Sequence, residues 1–254
     1  MFRLNYLRRQ LSRARRVWAG YLRAGWIRDG KLDDVLLTGF PAGMLACNCY
    51  VLAPRAGADA IVVDPGQRAF ANLRRILDEN RLTPAAVLLT HGHIDHMWSA
   101  QKVGDTFGCP VFIHPEDRFM LADPIRGFGP RLGQIAFGAL FREPKQVVEL
   151  DRDGDKLELG GITVTVDHTP GHTRGSVVFR VDLGDQLAFT GDTLFKQSVG
   201  RTDLPGGSGR DLLGSIVEKL LVLDDDTLVL PGHGESTTIG LERRTNPFLE
   251  GLTQ

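Results

Sequence analysis

From residue 35 onward, short apolar runs rich in Val, Ile, Leu and Phe alternate with glycine, proline and small polar residues. Runs of this kind, bounded by turn residues, predict buried strands. They fall at 35–40, 48–53, 60–63, 85–90, 111–114, 156–159, 162–167, 177–181, 186–190 and 227–230. Asp64-Pro65-Gly66 closes the third with turn chemistry. A period of three to four replaces these runs at 69–80, where Phe70, Leu73, Ile76 and Leu77 line one face of a predicted helix. Further helices are expected at 97–107, ended by Gly108, and at 211–221, and Leu241, Phe248 and Leu249 predict a closing turn or helix. Two successive rounds of strands followed by helix predict an α/β protein in which two sheets pack together with helices outside.

Two stretches break the pattern. Residues 115–145 carry Pro115, Pro124, Pro130 and Pro144 and several glycines among Phe119, Met120, Phe128, Phe137, Leu140 and Phe141. An apolar but interrupted segment of this length predicts a lid or binding loop. Residues 3–23 place Leu4, Leu7, Leu11, Ala14, Trp18 and Tyr21 as a stripe on a helix whose other faces are arginine. Three readings of this basic stretch stay open: a targeting or membrane-surface leader, a helix docked on the body, or an upstream extension before a domain that starts at Val35. The domain organisation expected is therefore an N-terminal extension, 1–34, and one body, 35–254.

Composition narrows the class. The net charge of -1 gives no case for nucleic-acid binding, although residues 1–34 carry +6 and the rest -7. No run approaches the length of a membrane span, so no stable membrane association is expected. Three cysteines, two of them in a C-x-C pair, suit a reducing compartment, and a cytoplasmic location is expected.

The run at 85–90 ends in His91-Gly92-His93-Ile94-Asp95-His96, three histidines and a carboxylate within six residues. Imidazoles beside a carboxylate suit a divalent cation. The same grammar recurs: Gly171-His172, Gly191-Asp192-Thr193 and Gly232-His233-Gly234 each follow an apolar run. Glycine lets the backbone turn sharply and throws the next side chain off the strand end. His91, His93, His172, Asp192, Asp95, His96 and His233 are too many ligands for one tetrahedral ion and suit two, one carboxylate bridging. Zinc is expected first, and iron and manganese bind the same donor set.

H-x-H-x-D-H, the later G-H, the G-D-T and the P-G-H-G together resemble the metallo-β-lactamase fold, an αββα sandwich, over 35–248. The resemblance implies one metal on His91, His93 and His172, a second on Asp95, His96 and His233, and Asp192 bridging them. A closer resemblance is to small glyoxalase II-like (hydroxyacylglutathione) hydrolases, carried by Asn48-Cys49-Tyr50, Gly191-Asp192-Thr193-Leu194-Phe195 and Gly200-Arg201-Thr202-Asp203-Leu204-Pro205-Gly206-Gly207. It implies hydrolysis of a small-molecule thioester such as S-D-lactoylglutathione, with a metal-bound hydroxide as nucleophile. Asp95 would be a ligand first and an orienting group or proton acceptor second, and Arg201 would grip the substrate. The C-terminal helical domain of the full-length family is not expected here and only Tyr50 remains among tyrosines after residue 34, so a different thiol carrier is open. Persulfide dioxygenase, on one iron, and lactone or ester hydrolysis are the rival readings. Asp192 stands where di-zinc lactamases resemble one another by a cysteine, which argues against a β-lactamase.

Other features carry the plain reading. Asp151-Arg152-Asp153-Gly154-Asp155 is a turn, since Ile162 stands where a calcium loop needs Glu. Asp224-Asp225-Asp226 reads as a solvated connection, and Gly127-Phe128-Gly129 lacks the context of a nucleotide loop. Cys47 and Cys49 are expected on opposite faces of their strand and Cys109 as structural. His114 and His168 exceed the ligand count and are expected behind the site or at the surface.

Overall fold

The structure is a computed structural model that describes residues 35–127, 141–184 and 186–252. The predicted helix at 3–23 and residues 128–140 of the predicted lid lie outside the described residues. Among the described residues two six-stranded sheets stack face to face. The first runs, in order, β1 (Leu36–Ala42), β2 (Cys47–Ala53), β3 (Asp59–Val63), β4 (Thr83–Leu88), β5 (Val111–Ile113) and β6 (Val147–Glu149). β1 to β3 pair antiparallel, and β3 to β6 pair parallel. The parallel crossovers use α1 (Ala69–Asn80), then α2 (Ile94–Met97) with α3 (Ala100–Phe107), and finally α4 (Pro115–Arg118). The second sheet holds β7 (Asp155–Leu159), β8 (Ile162–His168), β9 (Val177–Asp182), β10 (Gln186–Gly191), β13 (Leu228–Pro231) and β14 (Thr237–Thr238), ordered β14-β13-β10-β9-β8-β7. A ribbon of β11 (Leu194–Phe195) and β12 (Ser198–Val199) hangs beyond β10. α5 (Gly209–Ser215) and α6 (Ile239–Thr245) cover the second sheet.

Strand alternation explains the layers. In β2 every residue is buried because the sheet is covered on both sides. Tyr50 and Leu52 point inward with Ile61, Val63 and Leu88 against Val164, Val166, Phe179 and Phe189 of the opposing sheet. Cys49, Val51 and Ala53 point outward, under Leu73 and Leu77 of α1. A period of two places Cys47 on that same outer side, so the expectation of opposite faces for Cys47 and Cys49 is wrong. Both, with Cys109, are buried and free. α1 buries Leu73, Ile76 and Leu77 and gives Arg74, Arg75, Asp78 and Glu79 to water.

The helix expected at 97–107 is two pieces. Ser99 donates through Oγ to the Gly66 carbonyl at 2.7 Å and through N to Pro65 at 2.8 Å, which anchors the chain at residue 99. α2 is thereby a separate turn that aims Asp95 and His96, while α3 ends on Gly108 as expected. The helix expected at 211–221 starts earlier, because the Ser208 hydroxyl accepts from Asp211 N, and it finishes as a π-helical turn, Ile216–Leu220. Asp224-Asp225-Asp226 is an exposed connection as expected, and the Asp225 carboxylate pairs with Arg243 and Arg244 of α6. Among the described residues no helix is long and apolar enough to cross a membrane.

Candidate metal centre

The polar cluster forms where β3, β4, β10 and β13 end, and the two sheets are stitched together there. Val177 N donates to Thr90 O at 2.8 Å and Asn48 N to Gly232 O at 2.7 Å, while within the second sheet Gly232 N donates to Gly191 O at 2.8 Å. Asn48 Nδ2 donates to the carbonyls of Pro231 and Gly234, both at 3.0 Å, and Tyr50 Oη to Pro231 O at 2.8 Å. A Cβ at Gly232 would lie 2.3 Å from Asp192 Oδ1 and 2.6 Å from His96 Cε1, so only glycine fits there.

All seven expected ligands come together. Three overlapping groups keep one donor atom per residue within 4.8 Å of the others: His91, His93 and His172; His91, His96 and Asp192; Asp95, His96 and His233. Asp192 faces histidines of both end groups, with Oδ1 3.3 Å from His96 Nε2 and Oδ2 3.6 Å from His172 Nε2 and 3.7 Å from His233 Nε2. Asp95 Oδ2 lies 3.1 Å from His233 Nε2.

Hydrogen bonds behind the rings assign their tautomers. Nδ1 of His172 faces the Arg201 carbonyl at 2.8 Å and Nδ1 of His233 faces the Leu45 carbonyl at 3.0 Å, so both carry the proton there. His96 Nδ1 donates to Asp64 Oδ2 at 2.9 Å. His91 Nδ1 faces Thr90 Oγ1 at 3.1 Å, a hydroxyl that itself donates to Asp64 Oδ2 at 2.6 Å. These four rings therefore turn Nε2 into the cluster, a lone pair whenever the ring is neutral. His93 presents Nδ1 instead, 3.1 Å from His91 Nε2 and 2.9 Å from His172 Nε2. Converging nitrogen donors, with Asp192 Oδ1 buried among them and lacking a hydrogen-bond partner among the described residues, are the donor set a cation requires.

The field agrees. Burial, then the surrounding histidines, holds His91 far below its ordinary range, and burial followed by His172 and His96 lowers His93 to about 3. Burial works against charge on Asp192, yet His96, His172 and His233 outweigh it and keep the carboxyl below its usual range. Burial also opposes charge on His96 and His233; Cys47, Asp192 and Asp64 overcome it at His96, and Asp95 with Asp192 at His233, pushing both up. The His/Asp half of the cluster thus attracts positive charge. The seven residues suit a dinuclear metal site.

Other expected residues fall elsewhere. Arg201 is exposed and lies bidentate on Asp203, at 2.7 Å through both pairs, while its carbonyl orients His172. Tyr50 is buried with its hydroxyl engaged. His114 and His168 stack on each other, centroids 4.1 Å apart and 9° from parallel, joining the end of β5 to the end of β8 away from the ligands. The start of the predicted lid is α4 and two 3-10 turns with Asp117, Met120 and Leu121 buried, and Gly127 lies against His93. In the sequence Asp64 stands only as part of a turn. Its role in orienting His96 and, through Thr90, His91 depends on β3 lying beside β4, which no local signal reveals. Asp117 lacks a local signal for the same reason, and Asn48 enters the sequence reading only through the motif Asn48-Cys49-Tyr50.

Comparison with known proteins accords with this geometry. The family profile described as the metallo-beta-lactamase superfamily matches residues 42–233. An uncharacterized protein of Mycobacterium leprae is 77% identical over 218 residues, which is 86% of this chain and 100% of that protein. Hydroxyacylglutathione hydrolase GloC of Haemophilus influenzae is 37% identical over 191 residues, 75% of this chain and 87% of GloC. Among solved structures, the B3 metallo-beta-lactamase BLEG-1 is 39% identical with a TM-score of 0.74, covering 85% of this chain and 100% of that one. TTHA1623 in a di-iron-bound form is 35% identical with a TM-score of 0.67, covering 82% and 98%. ETHE1 from Myxococcus xanthus is 26% identical with a TM-score of 0.67, covering 84% and 83%. The chain belongs to the metallo-beta-lactamase superfamily of metallo-hydrolases.

Proposed function

We propose that the chain is a dinuclear metal-dependent hydrolase that cleaves thioesters of the S-D-lactoylglutathione kind to a hydroxy acid and a free thiol. The observation that carries this reading is the Asp192 carboxylate set between two full ligand groups, one oxygen toward His96 and the other toward His172 and His233. A single iron on two histidines and an aspartate would leave Asp95, His96 and His233 without a purpose. GloC, the relative named for hydroxyacylglutathione hydrolysis, supports the substrate class.

His91, His93 and His172 would hold one ion, Asp95, His96 and His233 the other, and Asp192 both; zinc is the ion we favour, and iron and manganese suit the same donors. Two bound divalent ions lower the pKa of a water toward neutrality and polarise a carbonyl. The acyl carbon–sulfur bond breaks, the water oxygen ends on the acyl carbon, and the sulfur leaves as the thiol. Four of the imidazoles are aimed inward by an acceptor behind the ring, a carbonyl for His172 and His233, the Asp64 carboxylate for His96 and the Thr90 hydroxyl for His91, so these rings need not reorient during turnover. Asp95 is a ligand first and a proton acceptor second. The rim is apolar on one side: Met44 and Leu45 are exposed on the β1–β2 turn, and the Leu45 carbonyl fixes that turn to His233. For Arg201 to hold a substrate carboxylate it must release Asp203.

Metal analysis should give near two ions per chain. S-D-lactoyl thioesters of glutathione and of other thiols, a lactone, a β-lactam and a persulfide with oxygen uptake form the substrate panel. Preferred thioester cleavage supports the proposal. One iron per chain with oxygen uptake on the persulfide and no thioester cleavage overturns it.

A further inference from the structure

Asp117 is a carboxylate with 1% exposure, placed on α4 and absent from all the ligand groups. Its Oδ2 accepts from Gly92 N at 2.9 Å and from Thr173 Oγ1 at 2.7 Å, and its Oδ1 accepts from Gly175 N at 3.0 Å. Gly92 is the residue between His91 and His93, and Thr173 directly follows His172. One oxygen atom therefore joins the loop carrying two histidines of the first group to the loop carrying the third. Ser176 completes the lock, with its hydroxyl 2.8 Å from Thr173 Oγ1 and accepting from Thr173 N at 3.1 Å. The approach is close: a Cβ at Gly175 would stand 2.7 Å from Asp117 Cγ. Burial pushes the carboxyl up, and the Thr173, Gly92 and Gly175 donors pull against that. The second group has other supports, Asp64 behind His96 and the Leu45 carbonyl behind His233.

We propose that Asp117 is a positioning residue for the first metal site alone, setting the separation of His91 and His93 from His172. The inference rests on the dinuclear reading above. An amide at this position cannot serve all the donors. Its NH2 must face either Gly175 N–H or Gly92 N–H, and neither backbone donor can reverse, so one strand of the lock is lost. Loss of a group that orients metal ligands lowers affinity about 10–100-fold.

The test titrates metal-free full-length protein with zinc against a chromophoric chelator, resolving two affinities, with His93→Ala and His233→Ala assigning them. Asp117→Asn should weaken the first site about 10–100-fold and leave the second within about twofold. Thr173→Val should shift the first site in the same direction by less, and Thr173→Ser, which keeps the hydroxyl, should restore it. Circular dichroism of the metal-free variants checks the fold, and Thr173→Val carries the test if Asp117→Asn does not fold. Equal weakening at both sites, or no change at the first site in Thr173→Val and Asp117→Asn, overturns the proposal. Failure of the wild-type chain to take up two ions removes the dinuclear reading itself, a result distinct from either.

Discussion

Asp64→Asn is the most informative single change, because it exchanges one acceptor for a donor and alters little else. Residue 64 sits at φ 46°, a left-handed conformation that Asp and Asn tolerate better than other side chains. Oδ1 accepts from Thr90 N at 2.8 Å, and a backbone N–H cannot turn round, so the amide oxygen must stay on that side. The NH2 then faces the Thr90 hydroxyl and His96 Nδ1, both able to accept. His96 must move its proton to Nε2. Thr90, now accepting from the amide, turns its own hydrogen toward His91 Nδ1, and His91 must do the same. Two of the inward lone pairs, one in each end group, become N–H donors aimed at the metals. A cost of about 10–100-fold in affinity at each ion follows, roughly 1.4–2.7 kcal/mol apiece. The metal-free protein, losing the ionised acceptor of two buried bonds, should also be less stable by about 2 kcal/mol. Chelator competition measures the affinities, and long-range proton–nitrogen correlation spectra of the histidine rings read which nitrogen is protonated. A variant that binds both ions as tightly as wild type, or whose His96 still carries its proton on Nδ1, refutes the relay.

Further outcomes follow from the packing and the titratable groups. Leu73→Ala, at a fully buried position beneath the first sheet, should cost about 2–5 kcal/mol in urea unfolding with turnover per folded molecule unchanged. His114 is lowered from 6.5 to about 4 by burial and then by the stacked His168. Between those values the unfolded chain binds a proton that the folded chain refuses, so stability should fall as pH falls through that window. The loss should be about 1–2 kcal/mol, less than the full shift because water still reaches the edge of the stacked pair. His114→Asn, which keeps an acceptor for the Glu116 N–H, should flatten that slope in a pH series of melting curves. Removing ions by dialysis against a chelator should lower stability by about 2.7 kcal/mol for each site previously held at a hundredfold excess over its Kd, read as a drop in Tm. An unchanged Tm would show that the ions do not bind the folded state.

How much was legible from the chain depended on whether the signal was local. The αββα layering was readable because apolar runs and glycine stops are written consecutively. The seven residues of the cluster are legible because they follow strand ends, four of them after β4 alone and one each after β8, β10 and β13. His168 shows the limit of that grammar: it is the last residue of β8, still paired with Val177, and stacks on His114 rather than reaching the cluster. The C-x-C pair needs no neighbours to place it, since a period of two puts both cysteines on one face. Asp64, Asp117 and Asn48 act across element boundaries, on Thr90, Gly92 and Pro231, and became visible only once β2, β3 and α4 had neighbours. Arg201 drew notice for its guanidinium, while the structure uses its carbonyl, a group every residue possesses.

The stitching of the two sheets at the metal end bears on when the protein could acquire metal during its synthesis. Asn48 reaches Pro231 across 183 positions of chain, and His233 closes on the Leu45 carbonyl across 188. A nascent chain that has exposed His91, His93 and His96 still lacks His172, Asp192 and His233, and the sheet end that would bring them together does not yet exist. An early ion would meet a few flexible imidazoles with no fixed spacing and leave again. Tight capture would wait for almost the last strand, so a metal bound here would act as a final latch on a finished sandwich and not as the seed around which the sandwich assembles.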